Sequence, residues 1–267
     1  MRDFTLDLPR GPTRVRMHGE GPALIWSHGV FFPIDVDNTS TLGRVLDETE
    51  GFTIVRYDAR GHGRTPAGAT IDDHRWDRLG QDVIDLADAL GFDRFIAGGI
   101  SMGAAVTLNA GLHARDRIDA MLLLALPTAW DTRPAEQQRY RDLAALGSSD
   151  AVAEHARKDI DGYFPDAAVP ESLRAMIEHL RNADWPGLER VILGASQSDL
   201  PDPRELAKLQ IRTLLRPWTG DVGHPISTAE ALAKVLPRVE YELMEGFDDA
   251  TGMRRALDAL RSVHTAR

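Results

Sequence analysis

Cysteine is absent from the 267 residues, which excludes disulfides, thiolate metal sites and a cysteine nucleophile. Long apolar runs are absent too. Nowhere do about 18 apolar residues follow one another, so no membrane-spanning helix is expected. The opening stretch MRDFTLDLPR lacks the apolar segment of a secretory signal, and no signal peptide is expected. Basic charge is in deficit: 31 Lys and Arg against 41 Asp and Glu give 31 − 41 = −10. That balance argues against nucleic acid or an anionic membrane as partner. Lysine is scarce, with only Lys158, Lys208 and Lys234 among the basic residues, a bias we attribute to GC-rich coding rather than chemistry. The expectation is a soluble, cytoplasmic protein, long enough for one large α/β domain or two small ones with a substantial core.

What is present is a rhythm. Phe4–Leu8 and Arg14–Met17 read as an opening hairpin; Ala23–Trp26, Thr53–Tyr57, Arg94–Ala97 and Met121–Leu126 read as buried strands. Between them Leu79, Val83, Leu86, Ala87 and Leu90 give the i, i+4, i+7, i+8 spacing of one apolar helix face. Such alternation predicts βαβ units and an α/β fold with a mostly parallel sheet flanked by helices. From 128 to about 208 the rhythm breaks into helical patches at 134–146, 150–160, 170–183, 186–195 and 203–209. Prolines sit at or near several of their starts, where a missing N–H costs nothing. Strand and helix then resume at Arg212–Leu215, Ser227–Val235, Glu240–Met244 and about Thr251–Val263. A core of 1–127 and 209–267, interrupted by a helical cap at 128–208, is therefore expected.

Gly98-Gly99-Ile100-Ser101-Met102-Gly103 puts a serine between small residues, after a strand and before a helix. Gly99 to Gly103 fit G-x-S-x-G, in which a strained turn lifts a serine hydroxyl clear of the sheet top. The bare five-residue pattern is weak, and its strand–turn–helix context gives it weight. Ser27-His28-Gly29-Val30 follows the third strand, where the N–H of Val30 or Phe31 can join that of Met102 in an oxyanion hole.

Ser27-His28-Gly29, then Tyr57-Asp58-Ala59-Arg60-Gly61-His62-Gly63-Arg64-Thr65, then the serine motif resemble, in order and spacing, the α/β-hydrolase fold superfamily. Trp218-Thr219-Gly220-Asp221-Val222-Gly223-His224-Pro225 is similar to its acid loop. The resemblance spans nearly the whole chain, with 128–208 where the family carries its cap. It implies Ser101 as nucleophile, Asp221 as the acid that orients an imidazole, and no metal or organic cofactor. It also implies a base in the loop after the last strand. Here that loop is Glu245-Gly246-Phe247-Asp248-Asp249-Ala250-Thr251, and it contains no histidine.

Nine histidines occur in the chain. His18 lies on the opening hairpin and His264 near the C-terminus, while His113 falls some three turns down the helix that follows Ser101. His74 sits in a polar loop, and His155 and His179 fall in the helical insert. His28 and His62 belong to motifs in which they shape loops. Two candidates stay open: His224, which shares the loop of Asp221, and a carboxylate base, Asp248 or Asp249, tuned upward by desolvation.

His28, Phe31, Phe32, Trp130, Tyr140, Tyr163, Phe164, Met176, Trp185 and Trp218 supply bulk for a pocket suited to a small, largely apolar molecule rather than a polymer. The leading expectation is serine-dependent hydrolysis of a small carboxylic ester or lactone. A lyase, isomerase or cyclase using the oxyanion hole, or a lapsed ligand-binding protein, stand as alternatives because the usual histidine position is empty.

Overall fold

The computed structural model describes residues 1–164 and 169–264; the side chains of Tyr163, Ser262, Val263 and His264 lie outside that description. Eight strands form one sheet in the order β1-β2-β4-β3-β5-β6-β7-β8: β1 Arg2–Leu8, β2 Gly11–His18, β3 Ala23–Ser27, β4 Thr53–Tyr57, β5 Phe95–Ile100, β6 Ile118–Leu124, β7 Arg212–Arg216 and β8 Val239–Tyr241. The β1–β2 and β2–β4 pairings are antiparallel and the rest parallel. The expected α/β architecture is the observed one.

Period-2 geometry sends neighbouring side chains of a strand to opposite faces, and the parallel strands are apolar on both. Ile25, Val55, Ala97, Met121, Leu123 and Leu215 pack on one side, against α3 (Trp76–Ala89) and α4 (Met102–His113). Leu24, Trp26, Ile54, Ile96, Leu122, Leu124 and Leu214 pack on the other, under α2 (Thr41–Glu48), which follows the short α1 (Ile34–Asp37), and α11 (Ala250–His264). Between β6 and β7 the chain runs through α5 (Arg133–Ala144), α6 (Ser149–Tyr163), α7 (Glu171–Asn182), α8 (Trp185–Ser196) and α9 (Pro203–Leu206). Helix α10 (Ile226–Val235) precedes β8, and α11 follows it.

Two departures from the sequence expectation matter. Helix α2 was not anticipated, although Ser40 caps it by accepting from Gly43 N and Leu42, Val45 and Leu46 form its buried face; eight residues are too few for a period to stand out. The final strand stops at Tyr241 rather than Met244. Past it, Glu242 N still reaches Leu215 O and Met244 N reaches Pro217 O, so the segment continues beside β7 without regular pairing. Among the described residues no helix is long and apolar enough to cross a membrane.

Candidate active site

Strand β5 runs directly into Ser101, whose φ of 56° and ψ of −118° belong to a region that costs a non-glycine residue about 1–3 kcal/mol. The flanking glycines follow from close approach. A Cβ on Gly103 would sit 1.9 Å from Ser27 O, and one on Gly99 would sit 2.4 Å from the carbonyl of Gly103. Only hydrogens fit where β3, β5 and α4 converge, and that convergence holds the serine in its strained turn.

The imidazole of His224 meets this hydroxyl. Its Nε2 lies 2.7 Å from Ser101 Oγ and its Nδ1 lies 2.8 Å from Asp221 Oδ2. A carboxylate only accepts hydrogen bonds, so Nδ1 carries the proton and Nε2 is left to accept from the serine. Asp221 is held by four donors: Gly223 N and His224 N on Oδ1, Trp218 Nε1 and His224 Nδ1 on Oδ2. Burial opposes its ionisation, yet the His224 bond and the other donors outweigh it and hold the carboxyl below its ordinary range. The turn from Asp221 to His224 is closed by His224 N on Asp221 O and tied to the β6 side through Thr128 N on Gly223 O.

The loop after β3 sits opposite. Phe32 N donates to Gly29 O, and Phe31 takes a positive φ of 65°. Met102 N opens α4, where the helix dipole favours negative charge. The N–H groups of Val30 and Met102 meet no acceptor among the described residues, which leaves both able to receive a developing oxyanion. His28 lies behind this loop: Nδ1 donates to Gly29 O at 2.7 Å and Nε2 accepts from Ala59 N at 3.0 Å. Asp58, fully buried, accepts from Ile34 N and Arg64 N and pairs with Arg14.

A cavity of about 290 Å³ opens over Ser101 and His224, bounded by the strand-end loops and by α5 and α7. Phe31 and Trp218 line it as expected, with Val30, Phe32, Tyr140 and Met176. Four expected wall residues do not: Phe164 and Trp185 lie off its lining, as do His28 and Trp130. His28 is 3% exposed and faces the β4 loop. Trp130 turns away, its Nε1 donating to Pro201 O and its backbone N to Asp199. Of four non-glycine residues with positive φ among those described, Phe31, Ser101 and Ala125 line the cavity, so backbone strain gathers where chemistry would occur. The sequence reading missed the polar part of the wall, Asp37, Arg133, Glu136 and Arg139. A charged residue near the start of an ordinary helix carries no signal of which cavity it will face.

The carboxylate alternatives lie elsewhere. Asp249 sits just before α11, with Oδ1 accepting from Gly252 N at 2.7 Å and Oδ2 from Glu245 N at 3.1 Å. Burial pushes its carboxyl up, but these donors prevail and hold it low, the reverse of what a base requires. Asp248 is exposed, and neither residue lines the cavity.

Comparison with known proteins gives the same scaffold. A sequence profile of the α/β-hydrolase fold matches residues 22–184, more than half of the chain. A 3-oxoadipate enol-lactonase of Acinetobacter baylyi is 24% identical over 84% of this chain and 80% of its own. An epoxide hydrolase of Caballeronia sordidicola is 31% identical over 58% of this chain, which spans only 46% of that protein. Among solved structures, a hydrolase from Pseudomonas aeruginosa superposes with a TM-score of 0.79 at 22% identity, covering 99% and 98% of the two chains. An enol-lactonase from Burkholderia xenovorans superposes at 0.71 and 19%, covering 98% of each; at such identities the likeness is one of fold. With its strained serine turn, its sheet order and the matched profile, the chain belongs to the α/β-hydrolase fold family.

Proposed function

We propose that the protein is a serine hydrolase acting on a small, largely apolar carboxylic ester or lactone, with residues 128–208 serving as a cap over a core of 1–127 and 209–267. The observation that carries this reading is the continuous contact from Ser101 Oγ through His224 to Asp221, at 2.7 and 2.8 Å. His224 Nε2 takes the hydroxyl proton as Oγ attacks the acyl carbon, and the Val30 and Met102 N–H groups hold the oxyanion. The imidazolium, stabilised by Asp221, returns the proton to the leaving oxygen. Water, deprotonated by the same Nε2, then attacks the acyl-serine, and the acid departs with Ser101 restored. Relatives named as an enol-lactonase and an esterase support the ester or lactone class. The absence of histidine from the loop 245–251 motivates a non-hydrolytic or binding role; His224 beside Ser101 supports the hydrolytic reading instead.

Turnover of p-nitrophenyl acetate tests the reading. Ser101→Ala is expected to remove enzymatic turnover, and His224→Ala to lower kcat by about 10²–10⁴-fold, the usual share of a positioned base. Mass spectrometry of wild type quenched early should find an acyl group on Ser101. Hydrolysis that persists in Ser101→Ala would overturn the serine mechanism.

A further inference from the structure

The cavity wall carries charge for which the Ser101–His224–Asp221 chain has no use. Asp37 is paired with Arg56 at 2.6 Å, and Glu136 receives Arg139 through two contacts of 2.7 and 2.9 Å. Arg133 differs from both. Its side chain is 1% exposed, it lines the cavity, and among the described residues no carboxylate stands within ion-pair distance of it. Glu136 and Asp199 act on it only from farther away, and burial works against its charge.

The groups that hold Arg133 are neutral. Nε donates to Ser198 O and Nη2 to Ala195 O, each at 2.7 Å, while Nη1 has only Thr128 Oγ1 at 3.5 Å. The guanidinium stacks 4.3 Å from the Trp76 ring centroid and 5.6 Å from that of Tyr140. The Ala195 carbonyl lies in the last turn of α8 and the Ser198 carbonyl two residues past its end; the helix C-terminus favours a cation there, and the two carbonyls fix the plane of the fork. They do not neutralise it, and a buried cation without a counter-charge is costly. A guanidinium held by one edge offers its remaining N–H groups to a planar anion, the geometry in which arginine binds carboxylates.

We propose that Arg133 reads a carboxylate on the substrate, so that the substrate class is a half-ester or a carboxylated lactone rather than a neutral ester. This rests on the hydrolase reading above. The bound carboxylate supplies the counter-charge that the fold omits, and the apolar wall of Phe31, Tyr140, Met176 and Trp218 holds the carbon chain between it and the scissile bond.

The test compares mono-4-nitrophenyl glutarate with its methyl ester, alike in shape but neutral. Wild type should prefer the anion in kcat/KM, and Arg133→Met should cut that preference by about 10- to 100-fold. Arg133→Lys keeps a cation without the fork and should fall between; it decides the matter if the methionine variant does not fold. Glutarate itself should raise the Tm of wild type and of Ser101→Ala, but raise that of Arg133→Lys less. Equal turnover of both esters by wild type, or a loss shared equally by both esters in the variants, would overturn the proposal and leave Arg133 as a pin between α5 and α8. If Ser101→Ala still hydrolyses the esters, the serine mechanism fails, and the glutarate Tm comparison then decides Arg133 independently.

Discussion

A hydroxyl at pH 7 gives up its proton only to an acceptor already aimed at it, and for Ser101 that acceptor is set by a four-residue turn. Asp221 and His224 are three apart in sequence, so one turn positions both the carboxylate and the imidazole. This makes the carboxylate hard to replace. In Asp221→Asn the side-chain oxygen is needed by Gly223 N and His224 N, which places the amide NH₂ against His224 Nδ1. Nδ1 must then accept, Nε2 carries the proton, and the imidazole can no longer take one from Ser101. We expect kcat to fall by about 10³–10⁴-fold, with urea midpoints close to wild type because Asp221 is partly exposed. An unfolded Asp221→Asn whose folded fraction keeps full turnover would make the residue structural. Asp221 was legible from its loop after the penultimate strand. His224 was legible only as one of two candidates, since sequence spacing does not say which way a loop imidazole points.

At the level of elements, the loop between β8 and α11 shows how an aspartate in a promising place can serve the backbone instead. Asp249 satisfies Gly252 N at the start of α11 and closes the loop on Glu245 N. Loss of such a cap costs about 0.5–2 kcal/mol. Asp249→Ala should therefore lower the stability of the whole domain by about that much in urea titration, and Asp249→Asn by less, while the turnover of the folded protein is retained. A drop in kcat in Asp249→Ala without loss of stability would reinstate it as part of the chemistry. The strand–serine–helix element was readable because G-x-S-x-G requires glycines wherever three backbones converge, and Gly99 and Gly103 meet that requirement.

For the molecule as a whole, buried imidazoles set the response to acid. Burial pulls the pKa of His18, His28, His62, His74 and His179 below the ordinary imidazole value of about 6.5. Each stays neutral in the fold while its unfolded counterpart takes a proton as pH falls below 6.5. The stability they support is present above that pH and is lost as pH drops toward their depressed folded values. Among the described residues Nε2 of His62 and of His74 is buried without a partner, and protonating His28 would break its bond from Ala59 N. One group works the other way: burial raises Asp82 to about 6, so its folded form holds a proton that the unfolded form lacks. Five histidines outweigh one aspartate. The urea midpoint should be lower at pH 5 than at pH 7.5; a midpoint equal or higher at pH 5 would contradict this.

The sequence by itself determined the α/β architecture, because hydrophobic period and strand–helix alternation are local properties that a chain displays before it folds. It also determined Ser101, since a strained turn between converging backbones needs glycines at fixed offsets. Tertiary structure alone decided the rest. That His224 rather than Asp249 stands against Ser101, that Trp130 turns from the cavity while Tyr140 enters it, and that Arg133 is buried there with no counter-charge among the described residues all depend on contacts between residues far apart in the chain: 123 positions separate Ser101 from His224, and 65 separate Arg133 from the Ser198 carbonyl that holds it. Such contacts arise only when loops from β3, β5, β6 and β7 gather at one end of a parallel sheet, beyond the carboxyl ends of its strands, and no local pattern encodes which side chains will meet there.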